Sequence, residues 1–307
     1  MKQPRLLGVG HVSLDHRFEV EALPTRPVKT PALAYACRVG GMTANASVAA
    51  ARLGAAVRFA GPVGDDDAAP RFANHFHKEG IDTQGLTRVP RTASSVSTVI
   101  VDALGERLIF NHRGSALFAA PPLRDQWLDD VDVLITDPRC PAWAEAALRG
   151  ARARRLVSVL DGDAAPQGDL QRLVPLATWA VFSEQGLAAF APGLPAQQAL
   201  AAALAVGAEV AVVTLGARGL LWQRAGGPVQ AMPAFAVAPV LDTTAAGDVF
   251  HGALAVVLAE GRGDADALRF AAVAAALKCS RRDGVLGAPG RGEVDQWVGS
   301  SPTLEAT

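Results

Sequence analysis

The second half of the chain alternates between short apolar runs and alanine-rich stretches long enough to be helices. The apolar runs cover residues 131–136, 156–160, 179–183 and 209–214. Strands that alternate with helices in this way form a parallel sheet with helices on both of its faces. The pattern therefore predicts an α/β chain with a Rossmann-like, doubly wound and mostly parallel sheet.

Two early segments, 14–39 and 93–113, have a different pattern. Each contains short runs typical of strands, separated by turn signals such as those at 24–27 and 103–105. We predict that the two segments form one small β-sheet lid over the strand ends. Because 307 residues without repeats or low-complexity linkers suit one large unit, residues 1–307 are interpreted as a single α/β domain with this lid inserted.

Several polar or glycine residues come just after apolar runs of the predicted sheet. In open parallel sheets, ligands bind at the carboxyl ends of the strands. We therefore expect these residues to share one rim of the sheet: Asp15, Arg139, Asp161, Ser183 and Gly216.

Residues 242–252 give the strongest indication of the reaction that this chain could catalyse. Small residues at 244–247 lead into Asp248, and apolar residues then continue at helical spacing. A helix N-terminus behind small residues offers unpaired backbone N–H groups to an anion. A carboxylate placed there fits a base that takes a proton from a hydroxyl while the amides hold a phosphoryl group. This segment alone leaves open the alternative of a capped helix with an acid in its first turn.

A second informative segment starts at Gly40 and Gly41, directly before a helix predicted over 43–53. Two glycines at this point let a ligand approach the backbone, and Asn45 in the first helical turn can reach that ligand. A tight turn followed by a surface asparagine is the alternative.

Composition excludes several classes of function. The net charge of −1 argues against a nucleic-acid partner, and no apolar run reaches the length that a membrane span needs. The three cysteines are far apart and odd in number, which favours a reducing compartment, and no signal peptide is seen. We therefore expect a cytoplasmic protein. The sequence contains neither a P-loop motif nor a cluster spaced to bind a metal.

The segments 40–54 and 242–248 resemble the two signatures of the ribokinase-like (PfkB) carbohydrate kinases, in the same order. The resemblance covers essentially the whole chain, since Asp15, the lid segments and the turn at 214–219 also match in order. It implies an ATP-dependent kinase that phosphorylates a sugar hydroxyl, with ATP and Mg²⁺ as cofactors. It also implies a homodimer that pairs through the lid.

The resemblance implies roles for individual residues. Asp248 would accept the proton of the attacking hydroxyl, while the amides of Ala245, Ala246 and Gly247 would stabilise the transferring phosphoryl group. Residues expected to hold the sugar are Asp15, Gly40, Gly41 and Asn45. Residues expected at the nucleotide and its phosphates are Ser183, Glu184, Thr214, Gly216, Gly219, Ala276 and Cys279.

The resemblance further implies that Asp242 and Thr244 could help to bind a monovalent cation such as K⁺, as in some relatives. Two departures from the family pattern stand out. Ala245 replaces a glycine of the second signature, and its methyl group disfavours a positive φ. The family's Asn-x-x-Glu motif aligns with residues 183–186, where this chain has neither the asparagine nor the glutamate of the motif. Mg²⁺ is therefore expected to bind mainly through waters and nucleotide oxygens.

Within the family, the segments 159–163, 182–187, 247–254 and 276–279 are similar to those of bacterial sulfofructose kinases. This resemblance implies phosphorylation of 6-deoxy-6-sulfofructose at C1. The positions that read the sulfonate correspond to Lys29, Asn111 and Arg139, which suit a permanent anion with three acceptor oxygens. Other substrates within the family remain open: fructose, ribose, 2-keto-3-deoxygluconate, tagatose 6-phosphate or a nucleoside. A non-catalytic sugar sensor is the alternative from another class.

Overall fold

The strands and helices follow the predicted alternation along the chain. The computed structural model describes residues 2–119, 124–163, 165–166 and 168–300. The strands are β1 (Arg5–Val9), β2 (Ser13–Glu19), β3 (Ala34–Gly40), β4 (Ala56–Gly64), β5 (Asp82–Val89), β6 (Ser95–Val101), β7 (Arg107–His112), β8 (Val133–Thr136), β9 (Val157–Gly162), β10 (Trp179–Ser183), β11 (Val210–Thr214), β12 (Leu220–Arg224) and β13 (Gln230–Met232). The α-helices are α1 (Met42–Arg52), α2 (Ala68–Lys78), α3 (Pro141–Ala153), α4 (Asp169–Leu173), α5 (Glu184–Phe190), α6 (Ala196–Ala205), α7 (Ala246–Ala259), α8 (Asp264–Cys279) and α9 (Arg291–Ser300). Within these ranges no helix has the length and apolarity of a membrane span.

The large sheet has the strand order β13-β12-β11-β10-β9-β8-β1-β4-β5. The strands from β11 to β5 are parallel, whereas β12 and β13 are antiparallel and close one edge. The predicted fold class, a mostly parallel sheet flanked by helices, is confirmed. The antiparallel edge was not predicted, because its strands are short and carry polar residues on one face.

Helices cover both faces of this sheet because each central strand is apolar on both sides. Leu6 packs toward the face covered by α1, α2, α7 and α8, and its neighbour Leu7 packs toward the face covered by α3, α5 and α6. In the same way, Val181 packs on the same face as Leu6, and Phe182 packs on the same face as Leu7. Each such fully buried side chain contributes about 1.5–3 kcal/mol relative to an exposed one. The two apolar layers fix the sheet and therefore the positions of its strand ends.

A separate four-stranded sheet has the order β3-β2-β6-β7. Its strands come from the two early segments that predicted a small sheet, and that feature of the fold is confirmed. β2 pairs antiparallel with β3 and parallel with β6, which joins the two distant segments. Asp15 lies inside β2, so the prediction that it sits on the rim of the large sheet is wrong. The chain passes from β1 into the small sheet at residue 13, before it reaches Asp15.

Candidate active site

Two neighbouring cavities lie at the carboxyl ends of the parallel strands. The small cavity, of about 300 Å³, lies between the small sheet and the large one. The polar residues and glycine that line it are His11, Ser13, Asp15, Gly41, Asn45, Ser95, Ser97, Asn111, His112, Arg113, Arg139 and Asp248. Six predicted substrate or catalytic residues, spread from position 15 to position 248, therefore meet in one place.

The large cavity, of about 600 Å³, lies next to the end of β11. Five residues predicted at the nucleotide line it: Thr214, Gly216, Gly219, Ala276 and Cys279. Part of its wall comes from residues 233–237 and 240, which sequence analysis did not assign to the site. This segment is almost wholly apolar, so the cavity offers an apolar wall of the kind that flat ring systems pack against.

The first turn of α7 separates the two cavities. Ala246 and Gly247 line the large cavity, whereas Asp248 lines the small one. The first four N–H groups of a helix have no intrahelical acceptor, and the helix dipole adds positive charge at this end. A group held between the cavities would therefore meet backbone donors on one side of this turn and a carboxylate on the other.

The turn into α7 depends on Ala245, which has a left-handed conformation with φ of 63°. An alanine pays a steric cost there that a glycine avoids. The predicted set of three free amides is not fully available, because the Ala246 N–H donates to the Thr243 carbonyl at 3.2 Å. Of the other two predicted donors, Gly247 lines the large cavity and Ala245 does not.

Asp248 touches the small cavity with one edge and is enclosed by protein elsewhere. This desolvation raises the pKa of Asp248 to about 7, and the nearby charge of Asp161 acts in the same direction. A hydrogen bond of 2.7 Å from Asn45 Nδ2 to Asp248 Oδ2 opposes the shift, because it favours the charged form. A carboxyl group with a pKa near neutrality is suited to accept a proton from a hydroxyl.

Behind Asp248 lies a buried pair. Asp161 Oδ2 and His251 Nδ1 are 3.5 Å apart, and both side chains are almost fully buried. Burial raises the pKa of Asp161 well above its usual value and lowers the pKa of His251. His251 Nδ1 also lies 2.7 Å from the Gly247 carbonyl oxygen, and Nε2 lies 3.3 Å from that of Val181. The histidine thus ties the first turn of α7 to strand β10.

Part of the wall of the small cavity is cationic, since Arg113 and Arg139 both line it. Arg139 Nη2 lies 3.2 Å from Asp163 Oδ2, and its backbone N–H donates to Asp137 Oδ1 at 2.8 Å. Burial lowers the pKa of Arg113, and the charge of Arg139 lowers it further. Nδ1 of His11 is buried with no hydrogen-bond partner among the residues that the structure describes. This wall has the positive charge and the unused donor or acceptor that a polar, anionic ligand would use.

Asp15 is held at the entrance of the small cavity by its neighbours. Ser13 Oγ donates to Asp15 Oδ1 at 2.8 Å. Gly40 faces the same carboxylate, and a Cβ atom at that position would lie 2.0 Å from Asp15 Oδ2. Gly41 has a φ of 118°, and a Cβ there would lie 2.6 Å from the His11 carbonyl oxygen. At both positions a Cβ atom would meet other protein atoms, so glycine fits there. The predicted approach of a ligand to these glycines stays a prediction.

Seven predicted residues line neither cavity: Lys29, Gly40, Ser183, Glu184, Asp242, Thr244 and Ala245. Lys29 is exposed in the connection between β2 and β3. Ser183 Oγ donates to Asp163 Oδ1 at 2.7 Å and accepts from the Gly186 amide at 2.9 Å, so it caps α5. Glu184 forms an ion pair with Arg218.

Sequence analysis missed several residues that line the cavities, namely His11, Arg113 and the segment 233–240. It also missed Asp137 and Asp163, which contact Arg139. Asp137 could have been found, because it directly follows the apolar run of β8 just as Asp161 ends that of β9. It is fully buried and accepts hydrogen bonds from the Thr43 N–H at 3.1 Å and Oγ1 at 2.6 Å. No pattern marked Arg113, which reaches the cavity only through the pairing of β6 with β7.

Comparison with known proteins agrees with this geometry. A sequence model of pfkB family carbohydrate kinases matches residues 3–289. This chain belongs to that family. Among curated relatives, a ribokinase of Bacillus subtilis is 30% identical over 293 residues, which span 94% of this chain and 97% of the relative.

Solved structures of the pfkB family extend the agreement. A crystal structure from Agrobacterium tumefaciens, provisionally named a ribokinase, is 34% identical, with a TM-score of 0.91 and coverage of 97% of this chain and 98% of that one. Arabidopsis thaliana ribokinase, solved with ribose and ATP, shares the fold at 22% identity and a TM-score of 0.86, with coverage of 98% and 100%. The prediction of an ATP-dependent carbohydrate kinase is confirmed, while the resemblance to sulfofructose kinases stays a prediction.

Proposed function

We propose that this pfkB kinase transfers the γ-phosphoryl group of ATP to a hydroxyl of a small sugar with an anionic group. The predicted substrate is 6-deoxy-6-sulfofructose, phosphorylated at C1 to give 6-deoxy-6-sulfofructose 1-phosphate. One observation carries the proposal. Asp248 faces the same small cavity as Asn111, Arg113 and Arg139, while the adjoining turn of α7 opens toward the large cavity.

In this mechanism ATP lies in the large cavity, with its phosphates toward Gly216, Gly219 and Gly247. The sugar lies in the small cavity, where Asp15, Gly41 and Asn45 bind its hydroxyls. Asp248 takes the proton of the reacting hydroxyl while that oxygen bonds to the γ-phosphorus. The bond from phosphorus to the bridging oxygen breaks, and ADP leaves with its electron pair.

The free amides of the turn before Asp248 stabilise the charge that develops on the transferring group. The Gly247 and Ala245 amides are the main candidates, since the Ala246 N–H is also engaged with Thr243. Loss of one such donor typically slows a reaction by about 10²–10³.

Mg²⁺ would arrive with the nucleotide and neutralise charge on its phosphates. Among the described residues, no group of three or more acidic, histidine or cysteine side chains could hold a metal ion. Asp163 is paired with Arg139 and Ser183, and Glu184 with Arg218. We therefore propose that ATP oxygens and water supply most of the ligands, as Mg²⁺ tolerates.

The anionic end of the sugar would lie against Asn111, Arg113 and Arg139. A sulfonate has three acceptor oxygens, which two guanidinium groups and an amide can satisfy. An anion would also relieve the repulsion between Arg113 and Arg139, which adds to the effect of burial in lowering the pKa of Arg113. Lys29 would join this group only if the exposed connection between β2 and β3 folds inward when the small sheet closes.

We also propose that the small sheet acts as a lid and pairs with its counterpart in a homodimer. Tyr35, Leu108, Ile109 and Phe110 are apolar side chains that this sheet leaves exposed. A partner that covers them would bury apolar surface. Closure of the lid would keep water from taking the phosphoryl group.

The relatives named ribokinase favour a second candidate, a neutral sugar such as ribose. Assays of ATP-dependent phosphorylation with sulfofructose, fructose 6-phosphate, fructose and ribose at matched concentrations separate the two. A preference for sulfofructose supports the anion site as proposed. Turnover of ribose or fructose alone would contradict the proposed anion site but would still support a sugar kinase. No turnover of any sugar would favour the non-catalytic sensor.

A further inference from the structure

A lysine side chain lies at the point where sequence analysis predicts a monovalent cation. Lys278, near the end of α8, is 0% exposed. Its Nζ atom lies 2.6 Å from the backbone oxygen of Asp242 and 3.3 Å from Asp242 Oδ2. A buried ammonium group is tolerated only with such oxygen partners, and the C-terminal end of a helix favours positive charge.

The carboxylate of Asp242 connects this ammonium group to the turn before α7. Asp242 Oδ1 accepts a hydrogen bond of 2.9 Å from the Thr244 N–H, and Oδ2 accepts one of 3.0 Å from the Gly284 N–H. Through these two hydrogen bonds, Asp242 holds both the 242–244 segment and the loop after α8.

The backbone of the same segment is fixed from α8 as well. The N–H groups of Leu241 and Asp242 donate to the Cys279 carbonyl oxygen at 2.8 and 3.2 Å. The residues that follow, Ala245 to Gly247, carry the amides assigned above to the phosphoryl group. The position of those amides thus depends on contacts made by the last turn of α8.

A K⁺ ion bound by Asp242 would use the same backbone and carboxylate oxygens that Lys278 Nζ already contacts. A K⁺ ion requires carbonyl and carboxylate oxygens as ligands. The oxygens of Asp242 that could serve are already in contact with the Lys278 ammonium group. Two positive charges sharing the same two oxygens would also repel each other in a poorly solvated site. The residues present therefore fit a tethered ammonium group and do not fit an added cation.

We propose that the Lys278 ammonium group takes the place of the monovalent cation, so that this kinase works without added K⁺. Lys278 is a positioning residue: it lines neither cavity and acts through Asp242 on the amides before Asp248. This inference rests on the proposed role of those amides in phosphoryl transfer. The independence from K⁺ follows from the contact between Lys278 and Asp242 in this chain.

The first test compares the intact enzyme in KCl and in choline chloride at equal ionic strength. Choline is too large for the site, so the comparison isolates the specific effect of K⁺ from salt screening. We expect kcat and KM for ATP to differ by less than about twofold between the two salts. Activation by K⁺ of about tenfold or more would overturn the proposal.

The second test uses Lys278→Met, which removes the charge and keeps most of the apolar stem. We expect kcat to fall about 10–100-fold in choline chloride, since small displacements of catalytic groups have costs of this size. K⁺ or NH₄⁺ should restore much of the loss. Lys78→Met, at an exposed lysine of α2, is the matched control and should behave as wild type in every salt.

Melting temperatures give a readout that does not depend on turnover. K⁺ should raise the melting temperature of Lys278→Met above its value in choline chloride and should leave wild type unchanged. A folded variant that neither K⁺ nor NH₄⁺ affects would overturn the proposal. If the variant does not fold, the K⁺ comparison on wild type decides. If no sugar is phosphorylated in either salt, the proposed function fails while the melting comparison still tests the inference.

Discussion

Asn45 Nδ2 donates a hydrogen bond of 2.7 Å to Asp248 Oδ2 and so joins two residues that are 203 positions apart in sequence. Asn45 is the fourth residue of α1, and Asp248 lies in the first turn of α7. The bond opposes the desolvation that raises the pKa of Asp248, because it stabilises the carboxylate form. The two sequence signatures thus meet at a single pair of atoms.

Asp248→Asn should lower kcat by about 10²–10⁴, because an amide cannot take the proton of the attacking hydroxyl. The side chain keeps its size, so we expect ATP binding, measured by calorimetry, to be nearly unchanged. Turnover close to that of wild type would show that Asp248 is not the base.

The pH dependence of kcat/KM should have an acid limb at about pH 7. Asp248 has a pKa raised to about 7, so below that pH the protonated fraction grows and the rate falls about tenfold per pH unit. Asn45→Ala removes a bond that lowers the pKa of Asp248 and should shift the limb to higher pH. A limb that stays in place in this variant would contradict the assignment.

Gly40→Ala should impair sugar binding with little loss of stability. Its Cβ would lie 2.0 Å from Asp15 Oδ2, and the end of that side chain can move away more cheaply than backbone. We expect KM for the sugar to rise about tenfold, the effect of losing one hydrogen bond to a charged group. Gly292→Ala is the control, because a Cβ there meets nothing within 4 Å. An unchanged KM would argue that Asp15 does not bind the sugar.

Ala245→Gly should raise the free energy of unfolding by about 1 kcal/mol, because glycine adopts a left-handed conformation without the steric cost of a Cβ. Urea denaturation measures this change. Arg155→Gly, at an exposed residue with φ of 56°, should stabilise the fold similarly and leave activity unchanged. If only Ala245→Gly also changes kcat, the backbone at 245 contributes to phosphoryl transfer as proposed.

Arg139→Ala should weaken activity toward sulfofructose by about 10–100-fold and toward fructose much less, since only the former carries an anion for the guanidinium group. The measurement is kcat/KM for both sugars. Arg149→Ala, at an exposed arginine of α3, should affect neither. An equal loss for both sugars would show that Arg139 does not bind an anionic group of the sugar, and would contradict the proposed anion site.

The sequence by itself determined the fold class and two parts of the site. The alternation of apolar runs required a parallel sheet covered on both faces, because such runs are buried on both sides. The small residues before Asp248 and the glycines before Asn45 marked the two helix N-termini, since these positions have strict local backbone requirements.

Only the tertiary structure decided which side chains share a cavity and which charges they feel. Arg113 reaches the small cavity through a strand pairing, whereas Lys29 stays outside it. The pKa of Asp248 and the contact of Lys278 with Asp242 depend on burial and on residues brought together from distant segments. Backbone preferences act over a few residues and can be inferred from sequence, but desolvation and Coulomb interactions depend on three-dimensional distance.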